Sequence, residues 1–207
     1  MKTKNGMPMY ADAPKKQNQN YKIIAFAGRA QVGKDTAGEM AQKFLFLAAE
    51  KPNHIFRIRR FADKIKEITA SLIGCRVSTL ENTTFKEMKL SETLGCKTPR
   101  QIMQLLGTEF GRNLIHPDLW VNILMNDIFE NSIITDVRFL NEANAIKERG
   151  GILIKIERDN GTESTHISET ALDSYDIDTF DYTINNNGTL EDLAKKVNAI
   201  LKIEGLI

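Results

Sequence analysis

Residues 21–36 read YKIIAFAGRAQVGKDT, and no other stretch restricts the fold as tightly. An apolar run that closes on glycine is the pattern of a strand buried on both faces of a parallel sheet. Gly28-Arg29-Ala30-Gln31-Val32-Gly33-Lys34 then fits G-x-x-x-x-G-K. In that pattern the glycines let backbone N–H groups wrap a phosphate chain, and the lysine neutralises its transferring end. Residues 36–49 follow as a helix, with Met40, Phe44, Leu47 and Ala48 at helical spacing and Pro52 as a stop signal. A helix N-terminus placed after such a loop favours an anion. The bland alternative is a glycine turn with a solvated lysine, and the strand-loop-helix context favours the phosphate cradle over it.

Asp35 stands where the strict pattern has a Mg²⁺-binding Ser or Thr, and Thr36 comes one residue later. A carboxylate beside phosphates is repulsive unless it faces the metal or its water shell. Asp35 is therefore the candidate Mg²⁺ ligand and Thr36 the candidate phosphate donor.

Beyond the loop, strands and helices alternate. HIFRIRRFA is a second strand, DKIKEITASLI a helix ending at Gly74, SIIT a third strand, ILIKIE a fourth and YTI a fifth. Thr98-Pro99 opens a helix through residue 115, His116-Pro117 restarts one through DLWVNILMNDIF, EANAIKERG forms another, and LEDLAKKVNAIL closes the chain. This alternation predicts a single α/β domain over 21–207 with a parallel sheet of five strands covered on both faces. Residues 75–97 carry no clear pattern. The third strand ends at Asp136-Val137-Arg138, over the crevice where open α/β sheets bind ligands. Asp136 is thus a Walker-B-like candidate, with a loop salt bridge as the alternative.

Composition excludes several classes. With 28 Lys+Arg against 27 Asp+Glu, the net charge of +1 creates no field that would make nucleic acid a default partner. Residues 1–20 are polar and lysine-rich and predict a disordered tail. They contain no apolar leader, and no run approaches a membrane span, so a cytoplasmic protein is expected. Cys75, Cys96 and the histidines at 54, 116 and 166 form no metal-ligand cluster and no disulfide framework.

The sequence resembles the bacteriophage deoxynucleoside monophosphate kinases, a branch of the P-loop nucleotide kinases. The resemblance is carried by GRAQVGKDT at 28–36, FADKIKE at 61–67, PRQIMQLLGTEFGRN at 99–113, DLW at 118–120, TDVRFLNEANAIKERGG at 135–151, THISE at 165–169 and TINNNGTLEDL at 183–193. It implies a three-layer α/β/α P-loop kinase fold with a helical substrate-binding insertion at about 75–130. It also implies transfer of the ATP γ-phosphoryl to a deoxynucleoside monophosphate (dNMP), with Mg²⁺. The partners are then small nucleotides, and a homodimer stays open.

Carried onto this chain, the resemblance puts the ATP site on Gly28 through Thr36, with Arg158 near the adenine. It puts the dNMP site on Lys66, Arg100, Gly107, Thr108, Trp120, Asp136, Arg138 and Glu142. Lys66 and Arg100 would hold the monophosphate, although Lys66 also reads as a solvated helix position. Gly107 and Thr108 interrupt a helical pattern and suggest close backbone approach to a ligand. Trp120 could pack on a base or serve the core. Arg138 would meet the charge that develops during transfer, and Glu142 would reach the sugar hydroxyl or orient Arg138. Arg76, Lys86 and Lys89 are candidates for a further substrate contact within 75–97.

Overall fold

The computed structural model describes residues 21–49, 55–159 and 179–207. The expected tail at 1–20, Pro52, His54 and the THISE block at 165–169 lie outside the described residues. The centre of the fold is β1 (Ile23–Ala27), buried at every position. It is flanked by β3 (Ser132–Val137) and β4 (Ile152–Glu157), with β2 (Arg57–Arg59) and β5 (Tyr182–Asn185) at the edges. The order is β2-β3-β1-β4-β5 and all four pairings are parallel.

Alternation along β1 divides the core in two. Ile24 and Phe26 pack with Ala37, Ala41 and Leu45 of α1 (Lys34–Ala48) and with Leu193, Val197 and Leu201 of α7 (Leu190–Ile203). Ile23, Ala25 and Ala27 pack with Val121, Leu124 and Met125 of α5 (Leu119–Asp127) and with Ala143 and Ile146 of α6 (Leu140–Glu148). Successive side chains leave a strand on opposite faces, so one continuous apolar run feeds two helical layers. The result is the expected three-layer α/β/α arrangement. No described helix is long and apolar enough to cross a membrane.

Local signals set several element ends where the sequence placed them. α2 (Asp63–Ile73) ends on Gly74 in the left-handed conformation. Thr98 caps α4 (Pro99–Gln104), its side chain accepting from the Gln101 backbone N–H and the Gln101 side chain returning the bond. The patternless stretch resolves into short pieces: a 3-10 turn at Val77–Glu81, α3 (Thr83–Glu87) and a 3-10 turn at Glu92–Leu94.

The α-helix expected through residue 115 stops at Gln104 and continues as a π-helix over Leu105–Ile115. Trp120 packs against this segment. A Cβ on Gly111 would lie 2.5 Å from the Trp120 ring, and the Trp120 indole N–H donates to the Gly107 carbonyl at 2.7 Å. The ring of the next helix therefore packs where the π-helix has no side chain. π segments recur at functional sites, and this one borders the cleft described next.

Candidate active site

The loop between β1 and α1 holds its shape through backbone conformations that glycine tolerates. Gly28 has φ 142° and Gly33 φ 104°. A Cβ on Gly28 would lie 2.4 Å from the Ile156 carbonyl oxygen, and one on Gly33 would lie 2.6 Å from Asn186 Nδ2. That same Asn186 amide, buried just past β5, donates to the Val32 carbonyl at 2.8 Å. Sequence reasoning did not single out Asn186. It lies in the TINNNGTLEDL block that carries the resemblance, where the Asn run reads as turn chemistry.

Lys34 is 6% exposed. Its ammonium donates to the carbonyls of Gly28 at 2.7 Å and Arg29 at 2.5 Å. Burial, with Arg138 nearby, lowers its pKa from 10.5 to about 7. The amine is thus held by carbonyls of its own loop. Asp35 accepts from Thr135 Oγ1 at 2.8 Å and from Arg60 at 2.9 and 3.1 Å, all on one carboxylate oxygen. The Thr135 and Arg60 bonds outweigh burial and hold its pKa below the usual carboxylate value. Arg60 is a second residue that sequence reasoning missed.

A cleft of about 640 Å³ opens beside this loop, over the carboxyl ends of β2 and β3. Asp35, Lys66, Arg100, Gly107, Thr108, Trp120, Asp136, Arg138 and Glu142 all border it. Arg158 does not: it lies just past β4, exposed, on the other side of β1 in the strand order. Of the three cations considered within 75–97, Lys86 lines the cleft, whereas Arg76 and Lys89 are exposed outside it.

Lys66 is buried rather than solvated, and its ammonium donates to Glu81 at 2.7 Å. Lys86 approaches the other Glu81 oxygen at 3.9 Å, and Arg100 pairs with Glu87. The insertion thus supplies carboxylates that gather cations on one wall. Asp136 accepts from the backbone N–H groups of Phe61 and Ala62, each at 2.9 Å. Both of its oxygens therefore hold the turn that leads into α2. Burial raises its pKa, against the pull of those two bonds.

Glu142 is 2% exposed. It accepts from Arg112 at 2.5 Å and from the backbone N–H groups of Arg138 at 2.7 Å and Phe139 at 3.1 Å. Burial pushes its pKa up to about 7 despite Arg112. These bonds tie Glu142 to the backbone that carries Arg138, while Glu142 also borders the cleft. Trp120, 3% exposed, packs against the π-helix and also borders the cleft.

A family profile described as deoxynucleotide monophosphate kinase matches residues 76–197. A protein of Acanthamoeba polyphaga mimivirus carrying that name is 33% identical over 156 residues, 67% of this chain and 79% of its own length. The chain belongs to the deoxynucleotide monophosphate kinase family. The Enterobacteria phage T4 member is 30% identical over 172 residues, covering 79% of this chain and 66% of its own. The Escherichia phage RB69 member is 34% identical over 112 residues, covering 50% of this chain and 44% of its own. Among solved structures, a shikimate kinase from Acinetobacter baumannii aligns over 94% of this chain at 15% identity, with a TM-score of 0.47. The matched segment includes the π-helix, β3, β4 and β5.

Proposed function

We propose that this chain transfers the γ-phosphoryl group of ATP to the phosphate of a deoxynucleoside monophosphate, giving ADP and the deoxynucleoside diphosphate. The observation that carries the reading is the position of a cation-lined cleft next to a phosphate-binding loop, in a chain of this family. The loop from Gly28 to Thr36 would take the triphosphate of ATP on backbone N–H groups and the α1 N-terminus. Lys34 would leave the Gly28 and Arg29 carbonyls for the β- and γ-phosphates. Arg158, across β1 from the cleft, would lie toward the donor base.

Lys66 and Arg100 would hold the acceptor monophosphate so that one of its oxygens lies in line with the γ-phosphorus. The bond from that oxygen to the γ-phosphorus forms while the bond to the bridging oxygen of ADP breaks. Arg138 would meet the charge spread over the moving phosphoryl oxygens. Asp136 fixes the turn before α2 and so places Lys66. Asp35 and Thr36 offer hard oxygen donors suited to Mg²⁺, which usually takes one or two protein ligands besides phosphate oxygens and water. When bound, Mg²⁺ would supply neutralisation of the donor's phosphate charge.

The partners on this reading are small nucleotides, with no nucleic acid or membrane needed. Free Cys75 and Cys96 suit a reducing cytoplasm. A coupled ADP-release assay over the four common dNMPs, their ribonucleotide counterparts and other small phosphorylated acceptors tests the reading. Turnover confined to other acceptors, or ATP binding without turnover, would overturn it.

A further inference from the structure

Arg112 stands one residue after Gly111, where the π-helix lies against Trp120, and its side chain is 12% exposed. Three groups fix its guanidinium. Its Cζ lies over the Phe139 ring at 3.9 Å from the centroid, Nη1 donates to the Pro117 carbonyl at 3.4 Å, and Nη2 donates to Glu142 at 2.5 Å. The Glu142 oxygen not used by Arg112 accepts from the backbone N–H groups of Arg138 and Phe139. A buried ion pair therefore ends on the peptide unit that carries Arg138 out of β3.

We propose that Arg112 is a positioning residue for phosphoryl transfer, acting through Glu142 to set where the Arg138 side chain enters the cleft. This inference rests on the transition-state role given to Arg138 above. A buried ion pair is a poor source of stability, because desolvating two charges offsets most of their attraction. Geometry is a better account of this one. A planar fork can stack on Phe139 and direct its N–H groups at two acceptors at once, which a lysine ammonium cannot. Misplacement of a reacting group by about 1 Å can cost on the order of 100-fold in rate, so a fixed backbone under Arg138 matters to the reaction.

The test is a double-mutant cycle in the full chain, with Arg112→Met, Glu142→Gln and the pair, read as kcat and KM for ATP and for the dNMP turned over fastest. Each single change should lower kcat about 10- to 100-fold, with dNMP KM shifted less than about threefold. The double variant should be no slower than the worse single variant, because both break one chain of contacts. A rise in dNMP KM at unchanged kcat, or losses that multiply in the double variant, would mean that Arg112 touches the acceptor itself and would overturn the proposal.

Thermal unfolding and Trp120 fluorescence report whether each variant folds. If Arg112→Met does not, Arg112→Lys keeps the charge without the fork: a kcat fall of about tenfold at unchanged dNMP KM supports the proposal, and wild-type kcat overturns it. Arg138→Ala is measured in parallel. If it keeps its kcat, the role of Arg138 fails and this inference with it; if it loses kcat while Arg112→Met does not, this inference alone fails.

Discussion

Lys34 closes on Gly28: the ammonium at the start of α1 donates, at 2.7 Å, to the carbonyl of the first loop glycine. This contact keeps a cation buried, and burial lowers its pKa to about 7. A triphosphate entering the loop favours the ammonium and raises that value. At pH 8, ATP binding should therefore take up as much as about one proton per site, measured by calorimetry in buffers of different ionisation enthalpy. Lys34→Met should remove the uptake.

The same residue sets a stability slope. Between pH 7 and 10.5 the unfolded chain holds the Lys34 proton while the folded chain has released it, so stability rises with pH across that window, and the whole of that gain has been lost by the time pH has fallen to 7. Lys34→Met should accordingly raise Tm at pH 7 while lowering turnover more than about tenfold, a loss of at least ~1.4 kcal/mol in the transition state. A lower Tm together with retained turnover would contradict both halves.

Arg100→Ala should raise KM for the dNMP about tenfold or more and move KM for ATP by less than about twofold, because Arg100 lines the cleft and not the loop. Steady-state kinetics with each substrate varied in turn decides this. Equal shifts for both substrates would remove Arg100 from the acceptor site.

Asp136→Asn and Arg138→Ala should differ in kind. An amide has one acceptor oxygen where Asp136 uses two, so one of the N–H groups of Phe61 and Ala62 would face a donor. The expected cost is about 1–3 kcal/mol of stability, together with a higher dNMP KM as the start of α2 shifts Lys66. Arg138→Ala should lower kcat and kcat/KM together with little change in KM. Denaturant unfolding and steady-state kinetics on the two variants separate the roles.

Gly28→Ala should lose ATP binding and stability together. The φ of 142° is open to glycine and strained for alanine, and the new methyl would meet the Ile156 carbonyl oxygen. Strain of this kind costs on the order of 1–3 kcal/mol. Denaturant midpoints and ATP titration of the same preparation measure both effects.

What the sequence determined by itself is local. The apolar run into Gly28, the loop through Lys34, the stop at Gly74 and the Thr98 cap all rest on interactions within a few residues, so periodicity and cap chemistry reveal them. Its place at the end of the third strand singled out Asp136, and resemblance added the other residues that gather at the cleft. Tertiary structure decided their partners. Asn186 on Val32, Asp136 on the backbone of Phe61 and Ala62, and Arg112 on Glu142 join residues 154, 75, 74 and 30 positions apart. Such bonds exist only after parallel strand pairing has brought the strand ends side by side. The π-helix belongs to the same class, because its widening accompanies the ring of Trp120, a residue of the following helix. A sequence states which groups can donate, accept or carry charge; which of them meet is settled by packing at long range, where no local pattern records it.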